Sequence, residues 1–361
     1  MAKPWEGPPG SPNLSAGPPA PPRREAVLFG LARHQYTTTE MSVETKAKAG
    51  AKKPVVHPNT WVYFDGEFGR YHDIKLGLMT HALHYGTGVF EGIRAYWNPK
   101  QEQLHLLQAP AHFDRLRRSA NIMRFNLPHT TEELVNLTIE VLRRNQFKSD
   151  VYIRPLLFTA SEEIGVRLHN IGHSFLIYAI PFGNYVEIEG GLRCMVSTWR
   201  RVPDQSLPAR AKVTGAYAQS ALAKSEANEA GYDEAIVLTV DGHVSEGSAE
   251  NLFMIKDGAF VTPPVTDDIL EGVTRTLLIG LIKDELGLPV IERSIDRTEL
   301  YTCDELLLCG TGAQVAPVIE VDRRTVGNGK VGEFTQELQN IYFGAVRGET
   351  PKYKDWTIPV Y

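Results

Sequence analysis

The chain reads as an α+β protein built from two domains. Its 361 residues exceed one typical compact domain and suit two. Strand-like runs rich in Val, Ile, Phe and Tyr occur in both halves, with helical periodicities among them. A turn-rich stretch over residues 181–191 separates the halves and fits an interdomain connection. The expected organisation is a tail over 1–55, a first domain over 56–179, a loop over 180–191 and a second domain over 192–361.

The tail stands apart. Residues 1–22 hold eight prolines and three glycines, with almost nothing to bury. Such a segment cannot offset its ordering entropy, so disorder is expected there. Residues 1–55 carry a charge of +4 against −5 for the whole chain. The apolar piece at 26–32 is short and no clear small-residue cleavage site follows it, so the tail does not read as a signal peptide. Met41 opens a second plausible start, and residues 1–40 are expected to be dispensable.

Ordered structure is expected from about Trp61. Residues 61–64, then Asp65-Gly66, then 67–71 read as strand, tight turn, strand, because Asp-Gly accepts the positive φ of a hairpin turn. The same dipeptide recurs at Asp241-Gly242 and Asp257-Gly258, each between apolar runs. Thr130-Thr131-Glu132-Glu133 carries a capping-box pattern, followed by Leu134, Leu137, Val141 and Leu142 at helical spacing. Residues 151–158 and 174–180 look like central strands. Further strands are expected over 193–199, 235–240, 251–255, 290–295 and 305–309. Helices are expected over 216–230, stopped by Gly231, over 274–286, stopped by Gly287, and over 333–346.

Composition excludes several classes. Hydrophobic residues at 42% and charged residues at 22% are ordinary globular values, which rules out collagen, a coiled coil and a wholly disordered chain. No apolar run approaches the roughly 20 residues that span a bilayer. A net charge of −5 argues against a general nucleic-acid binder. Cys194, Cys303 and Cys309 form no CxxC and cannot all pair, so free buried thiols in a reducing compartment, the cytoplasm, are expected.

Four places carry candidate chemistry. Lys212 lies after an extended, proline-bounded stretch and before a helix, where desolvation would give the low-charge amine that a Schiff-base lysine requires. In Ser245-Glu246-Gly247-Ser248-Ala249-Glu250-Asn251, two carboxylates flank small residues that admit a flat ligand. Gly272-Val273-Thr274 opens a helix whose free amides suit an anion, and Gly310-Thr311-Gly312 follows a strand and forms a second candidate anion nest. His81 and His84, with His72 and His105, raise the question of a metal, but neither the spacing nor a nearby carboxylate fits one, and core histidines are expected. Tyr152-Ile153-Arg154-Pro155 offers a tyrosine and a fork-shaped cation suited to a carboxylate.

In this order, HALHYGTGVFEGIR, HFDRL, YIRPL, IPFGNY, ARAKVTGAY, SEGSAENLF, LEGVTR and CGTGAQVAPV resemble the branched-chain amino acid aminotransferases, a family of fold-type IV pyridoxal 5'-phosphate enzymes. The resemblance runs from about Trp61 to Glu349. It implies a small N-terminal α/β domain and a larger C-terminal domain with a cofactor cleft between them. It implies transamination of leucine, isoleucine and valine with 2-oxoglutarate by a ping-pong route, in a homodimer or higher homo-oligomer.

The resemblance also implies residue roles. Lys212 holds the cofactor and shuttles the proton, and Glu246 pairs with the ring nitrogen. Arg115, Val273, Thr274 and Thr311 bind the phosphate, and Tyr217 lies beside the phenolic oxygen. Tyr152, with the amides of Thr311 and Gly312, grips the substrate α-carboxylate. Tyr85, Phe90, Phe182 and Tyr185 wall the side-chain pocket. Arg154 meets the second carboxylate of glutamate, and Val166 reaches a neighbouring subunit's site. Phe182 stands where some relatives carry tryptophan, and Gly312 where many carry alanine. Alternatives on the same scaffold are a D-amino acid or (R)-amine transaminase and 4-amino-4-deoxychorismate lyase.

Overall fold

The computed structural model describes residues 56, 57, 59–183 and 190–361. The tail expected over 1–55 and half of the loop expected over 180–191 lie outside those residues. Among the described residues, the strands form two sheets.

The first sheet has eight strands, paired antiparallel throughout. Its spatial order is Thr357–Pro359, Gln103–Leu107, Ile93–Asn98, Val151–Thr159, His173–Pro181, Trp61–Phe64 and Glu67–Arg70, with Gly88–Phe90 also against Val151–Thr159. The opening hairpin turns where the dipeptide pattern placed it, with Asp65 at φ 45° and Gly66 at φ 100°, and Phe64 pairs with Glu67. The helix Thr131–Asn145 begins at Thr130, whose side chain accepts from the Glu133 amide while Glu133 reaches back to the Thr130 amide. Its Leu134, Val141 and Leu142 join a core with Ile93, Ile153 and Ile177 of the sheet.

The second sheet has nine strands and mixes directions. Its spatial order is Val244–Gly247, Glu234–Leu238, Leu192–Arg200, Gln314–Val321, Glu305–Gly310, Asn251–Lys256, Ala259–Thr262 and Val290–Glu292, with Arg324–Thr325 beside Gln314–Val321. Side-chain alternation explains why it is buried on both faces. Leu252, Met254, Leu306 and Leu308 enter one core, whereas Phe253, Ile255, Leu307 and Cys309 enter another under the helices Val273–Leu281 and Glu333–Val346. The last strand, Thr357–Pro359, returns to the first sheet and pairs with Gln103–Leu107.

Several elements differ from the sequence expectation. The helix Val273–Leu281 passes into a π turn over Ile282–Leu286 before Gly287 ends it in the left-handed region. The strand expected over 290–295 is Val290–Glu292 alone. Ala109–Ile122 is helical without a side-chain cap, starting from Gln108 at φ 47°. All three cysteines are free and buried. No helix among the described residues is long and apolar enough to cross a membrane.

Candidate active site

A cavity of about 570 Å³ is lined by Phe90, Tyr152, Arg154, Tyr178, Ile180 and Phe182 from the first half of the chain. Lys212, Tyr217, Glu246, Glu250, Val273, Thr274, Thr311 and Gly312 line it from the second half, and Arg115 and Arg201 also reach it.

The backbone of Lys212 is clamped on two sides. Its N–H donates to Ser119 Oγ of the helix Ala109–Ile122 at 3.1 Å. Its carbonyl accepts from the Phe90 amide at 3.0 Å, and Val89 bridges Val213. The amine points into the cavity, where Nζ donates to Tyr217 Oη at 2.6 Å. Burial, with the Arg115 charge adding to it, pushes the Lys212 ammonium down to about 8. Burial and the Glu246 charge raise the Tyr217 hydroxyl, so it stays protonated.

Glu246 is buried and its carboxylate is held from three directions. Arg201 Nη2 lies 3.1 Å from Oε1, while Asn251 Nδ2 and the Leu270 amide donate to Oε2 at 3.2 and 3.1 Å. Burial still pushes this carboxyl above its usual range, with Arg201 opposing. Neighbouring Glu250 is likewise pushed up, by burial and by the Glu234 carboxylate. Asn251 Nδ2 also donates to the Leu270 carbonyl at 2.9 Å, which ties Glu246 to the next element. That element is the helix Val273–Leu281, whose start at Gly272 has no side-chain cap. A Cβ on Gly272 would come within 2.0 Å of Asn251 Oδ1, so only glycine lets the helix start approach this closely.

Arg115 faces the cavity from the helix Ala109–Ile122. Its Nε and Nη2 donate to Glu91 Oε1 and Oε2, each at 2.7 Å, and Nη1 donates to the Glu271 carbonyl at 2.7 Å. Glu91 also contacts His112 Nδ1 at 2.8 Å. The fork–fork pair fixes the guanidinium plane.

Also lining the cavity, the Tyr152 and Phe182 rings lie 5.2 Å apart. Gly92 is required beside them, because a Cβ there would meet Tyr152 Oη at 2.3 Å. Arg154 Nη2 donates to Tyr152 Oη at 3.0 Å, and its guanidinium stacks 4.5 Å from the Phe90 ring centroid. Its Nε is buried without a partner, and no carboxylate pairs with it among the described residues.

One expected wall residue sits elsewhere. Tyr85 ends the helix His81–Tyr85 outside this cavity, because its hydroxyl accepts from the Gly165 amide at 3.2 Å. Val166, expected to reach a neighbouring subunit's site, is 88% exposed on the adjoining loop and does not line this cavity. Tyr185 falls outside the described residues. The histidines bond to protein: His81 to Thr159 Oγ1 at 2.9 Å and the Gly165 carbonyl at 2.8 Å, His105 to Gln101 Oε1 at 2.8 Å. Among the described residues, no three His, Cys, Asp or Glu side chains converge as metal ligands. Sequence reasoning missed Glu91, Arg201 and Tyr178; Glu91 lay within a quoted motif, but nothing local marked it as the partner of Arg115.

Comparison with known proteins accords with this geometry. The model of the family described as amino-transferase class IV matches residues 88–321. A probable branched-chain-amino-acid aminotransferase of Aquifex aeolicus is 47% identical over 301 residues, covering 83% of this chain and 97% of that protein. The crystal structure of a branched-chain aminotransferase from Thermoproteus uzoniensis with norvaline superposes at a TM-score of 0.80 with 43% identity, covering 84% of this chain and 99% of the other. The crystal structure of a branched-chain amino acid aminotransferase from Thermobaculum terrenum in its PLP-form gives a TM-score of 0.81 at 33% identity, covering 84% of this chain and 100% of the other. Matches of this extent cover the whole cavity, and the chain belongs to the class IV amino-transferases, within the branched-chain-amino-acid aminotransferase family.

Proposed function

We propose that the protein transfers the amino group of leucine, isoleucine or valine to 2-oxoglutarate, with pyridoxal 5'-phosphate as cofactor. One observation carries the reading: a buried lysine amine of lowered basicity shares its cavity with a guanidinium that lacks a carboxylate partner among the described residues. The amine suits covalent chemistry at a carbonyl, and the guanidinium suits a dicarboxylate.

The residues fit the cofactor. The raised Glu246 carboxyl is a site short of positive charge, which a protonated ring nitrogen would supply. The uncapped helix start at Val273 and Thr274, with Arg115 and Thr311, would hold the phosphate. Tyr217 would face the phenolic oxygen, and Lys212 Nζ would carry the cofactor. When bound, the ring withdraws electrons from the substrate α-carbon and acidifies its proton. Lys212 Nζ takes that proton and later returns one, a role its lowered pKa permits near neutral pH. Tyr152 and the amides of Thr311 and Gly312 orient the α-carboxylate. Phe90 and Phe182 shape an apolar pocket for a branched side chain, and Arg154 receives the second carboxylate of glutamate.

The assembly is a homodimer or higher homo-oligomer in the cytoplasm. Leu78 and Met79 are exposed beside Ile164 and Val166, because Thr80 bridges Glu162. An apolar patch of this kind fits a second copy, which Tyr85 and Val166 would then meet. The two sheets correspond to domains over 56–179 and 192–361, with the C-terminal strand strapped back to the first.

Adding leucine to the holoenzyme should abolish the cofactor's visible band, and 2-oxoglutarate should restore it. Lys212→Ala should fold and bind the cofactor noncovalently but show no such cycle. Near-normal turnover in that variant would sink the reading.

A further inference from the structure

Arg94 is almost completely buried at 1% exposure, yet it pairs with no carboxylate among the described residues. Four backbone carbonyls take its donors instead. Nε donates to the Thr311 carbonyl at 2.7 Å, and Nη2 donates to the Gly312 carbonyl at 3.1 Å. Nη2 also donates to the Gly183 carbonyl at 3.0 Å, and Nη1 to the Phe182 carbonyl at 3.3 Å. The guanidinium lies 4.9 Å from the Phe182 ring centroid. Thr311, Gly312 and Phe182 line the cavity, whereas Arg94 does not.

A trans peptide unit points its carbonyl and its N–H in opposite directions. Holding the Thr311 and Gly312 oxygens from behind therefore aims the N–H groups of Gly312 and Ala313 away from Arg94. A full positive charge on the oxygen of a peptide unit also polarises that unit and strengthens its N–H as a donor. Arg94 lies opposite Tyr152 across paired strands, so the same backbone positions both the turn and the tyrosine.

We propose that Arg94 is a positioning residue, which aims and strengthens the Gly312 amide, one of the two donors given to the substrate α-carboxylate, and locks the turn that carries both donors to the Phe182 wall. The inference rests on the proposed transamination, in which this turn receives the α-carboxylate.

The test uses the holoenzyme and 4-methylpentanoate, the leucine skeleton without its amine, titrated by the change in cofactor absorbance. Arg94→Met removes the charge and all four contacts, and should raise the dissociation constant about tenfold or more. Arg94→Lys keeps a cation that spans fewer carbonyls and should give a smaller rise. Cofactor affinity should fall far less than carboxylate affinity in both variants, since of the groups proposed to hold the cofactor Arg94 touches only the Thr311 backbone and neither Lys212, Arg115 nor the helix start. Wild-type carboxylate affinity in both variants would overturn the proposal. So would a parallel fall in cofactor and carboxylate affinity with no gain from lysine, which marks a simple brace. If the methionine variant does not fold, the lysine variant decides alone: weaker carboxylate binding with intact cofactor affinity supports the role, and unchanged binding removes it. A wild-type holoenzyme that neither binds the acid nor transaminates leucine would remove the functional reading and this inference together. Wild-type binding with unaffected variants removes the inference alone.

Discussion

Lys212 shows how much a single side chain depends on its surroundings. An exposed lysine is a compact, hydrated cation that titrates above pH 10. Here burial and the Arg115 charge bring it to about 8. The neutral amine is the nucleophile, so it becomes available as pH rises through that value. Labelling of Lys212 in the cofactor-free protein by an amine-selective reagent, followed by peptide mapping, should therefore reach half its maximal rate near pH 8. A midpoint above pH 10 would contradict the lowered basicity. Arg154 supplies the complementary case, a charge held ready with an unpartnered Nε. A buried charge-assisted contact contributes roughly 1.5–3 kcal/mol. Arg154→Met should accordingly cut kcat/KM for glutamate or 2-oxoglutarate about ten- to a hundredfold. The leucine half-reaction should suffer far less, because leucine has no second carboxylate. Equal losses in stopped-flow half-reactions would show that Arg154 only braces Tyr152.

At the scale of elements, Glu91 joins the segment after the strand Gly88–Phe90 to the helix Ala109–Ile122. Its two oxygens take Arg115 Nε and Nη2, and His112 adds a third contact. The Arg115 charge and the hydrogen bonds from Arg115 and His112 hold the Glu91 carboxyl far below the usual range, although burial acts against this. Glu91→Gln keeps the shape but leaves Arg115 buried without a counter-charge, which costs about 3–5 kcal/mol. Denaturant unfolding at pH 7 should show that loss. A group with a depressed folded pKa contributes stability above its unfolded value and loses it as pH falls toward the folded one. The deficit of the variant should thus shrink below about pH 4. A pH-independent deficit would mean that packing, not charge, holds the helix.

At the scale of the molecule, the exposed apolar side chains are not scattered evenly. Leu78 is 89% and Val166 is 88% exposed, on two segments joined by the Thr80–Glu162 bridge. Leu78→Glu combined with Val166→Glu should convert the assembly to a 40.2-kDa monomer in sedimentation velocity. The same change should lower turnover, since the proposed partner contact would vanish. An unchanged sedimentation coefficient would place the interface elsewhere.

Local chemistry made much of this protein legible from its sequence. Asp65-Gly66 can turn a hairpin because both residues tolerate positive φ, and alternation in 251–255 and 305–309 sends side chains to opposite faces. The ordered motifs likewise brought forward Lys212, Glu246, Thr274 and Thr311, which the fold places on one cavity. Tertiary structure alone decided the rest. Nothing near Glu91 says that Arg115, 24 residues on, will take it, and nothing near Arg94 announces carbonyls 217 and 218 positions away. Likewise, Arg201 meets Glu246, Tyr85 turns from the cavity to Gly165, and residues 357–359 return to the first sheet. The physical reason is one of range. Backbone periodicity and turn preference act over a few residues and are written where they act. Ion pairs and carbonyl cages form between groups that only chain folding brings together, and burial then sets their charge.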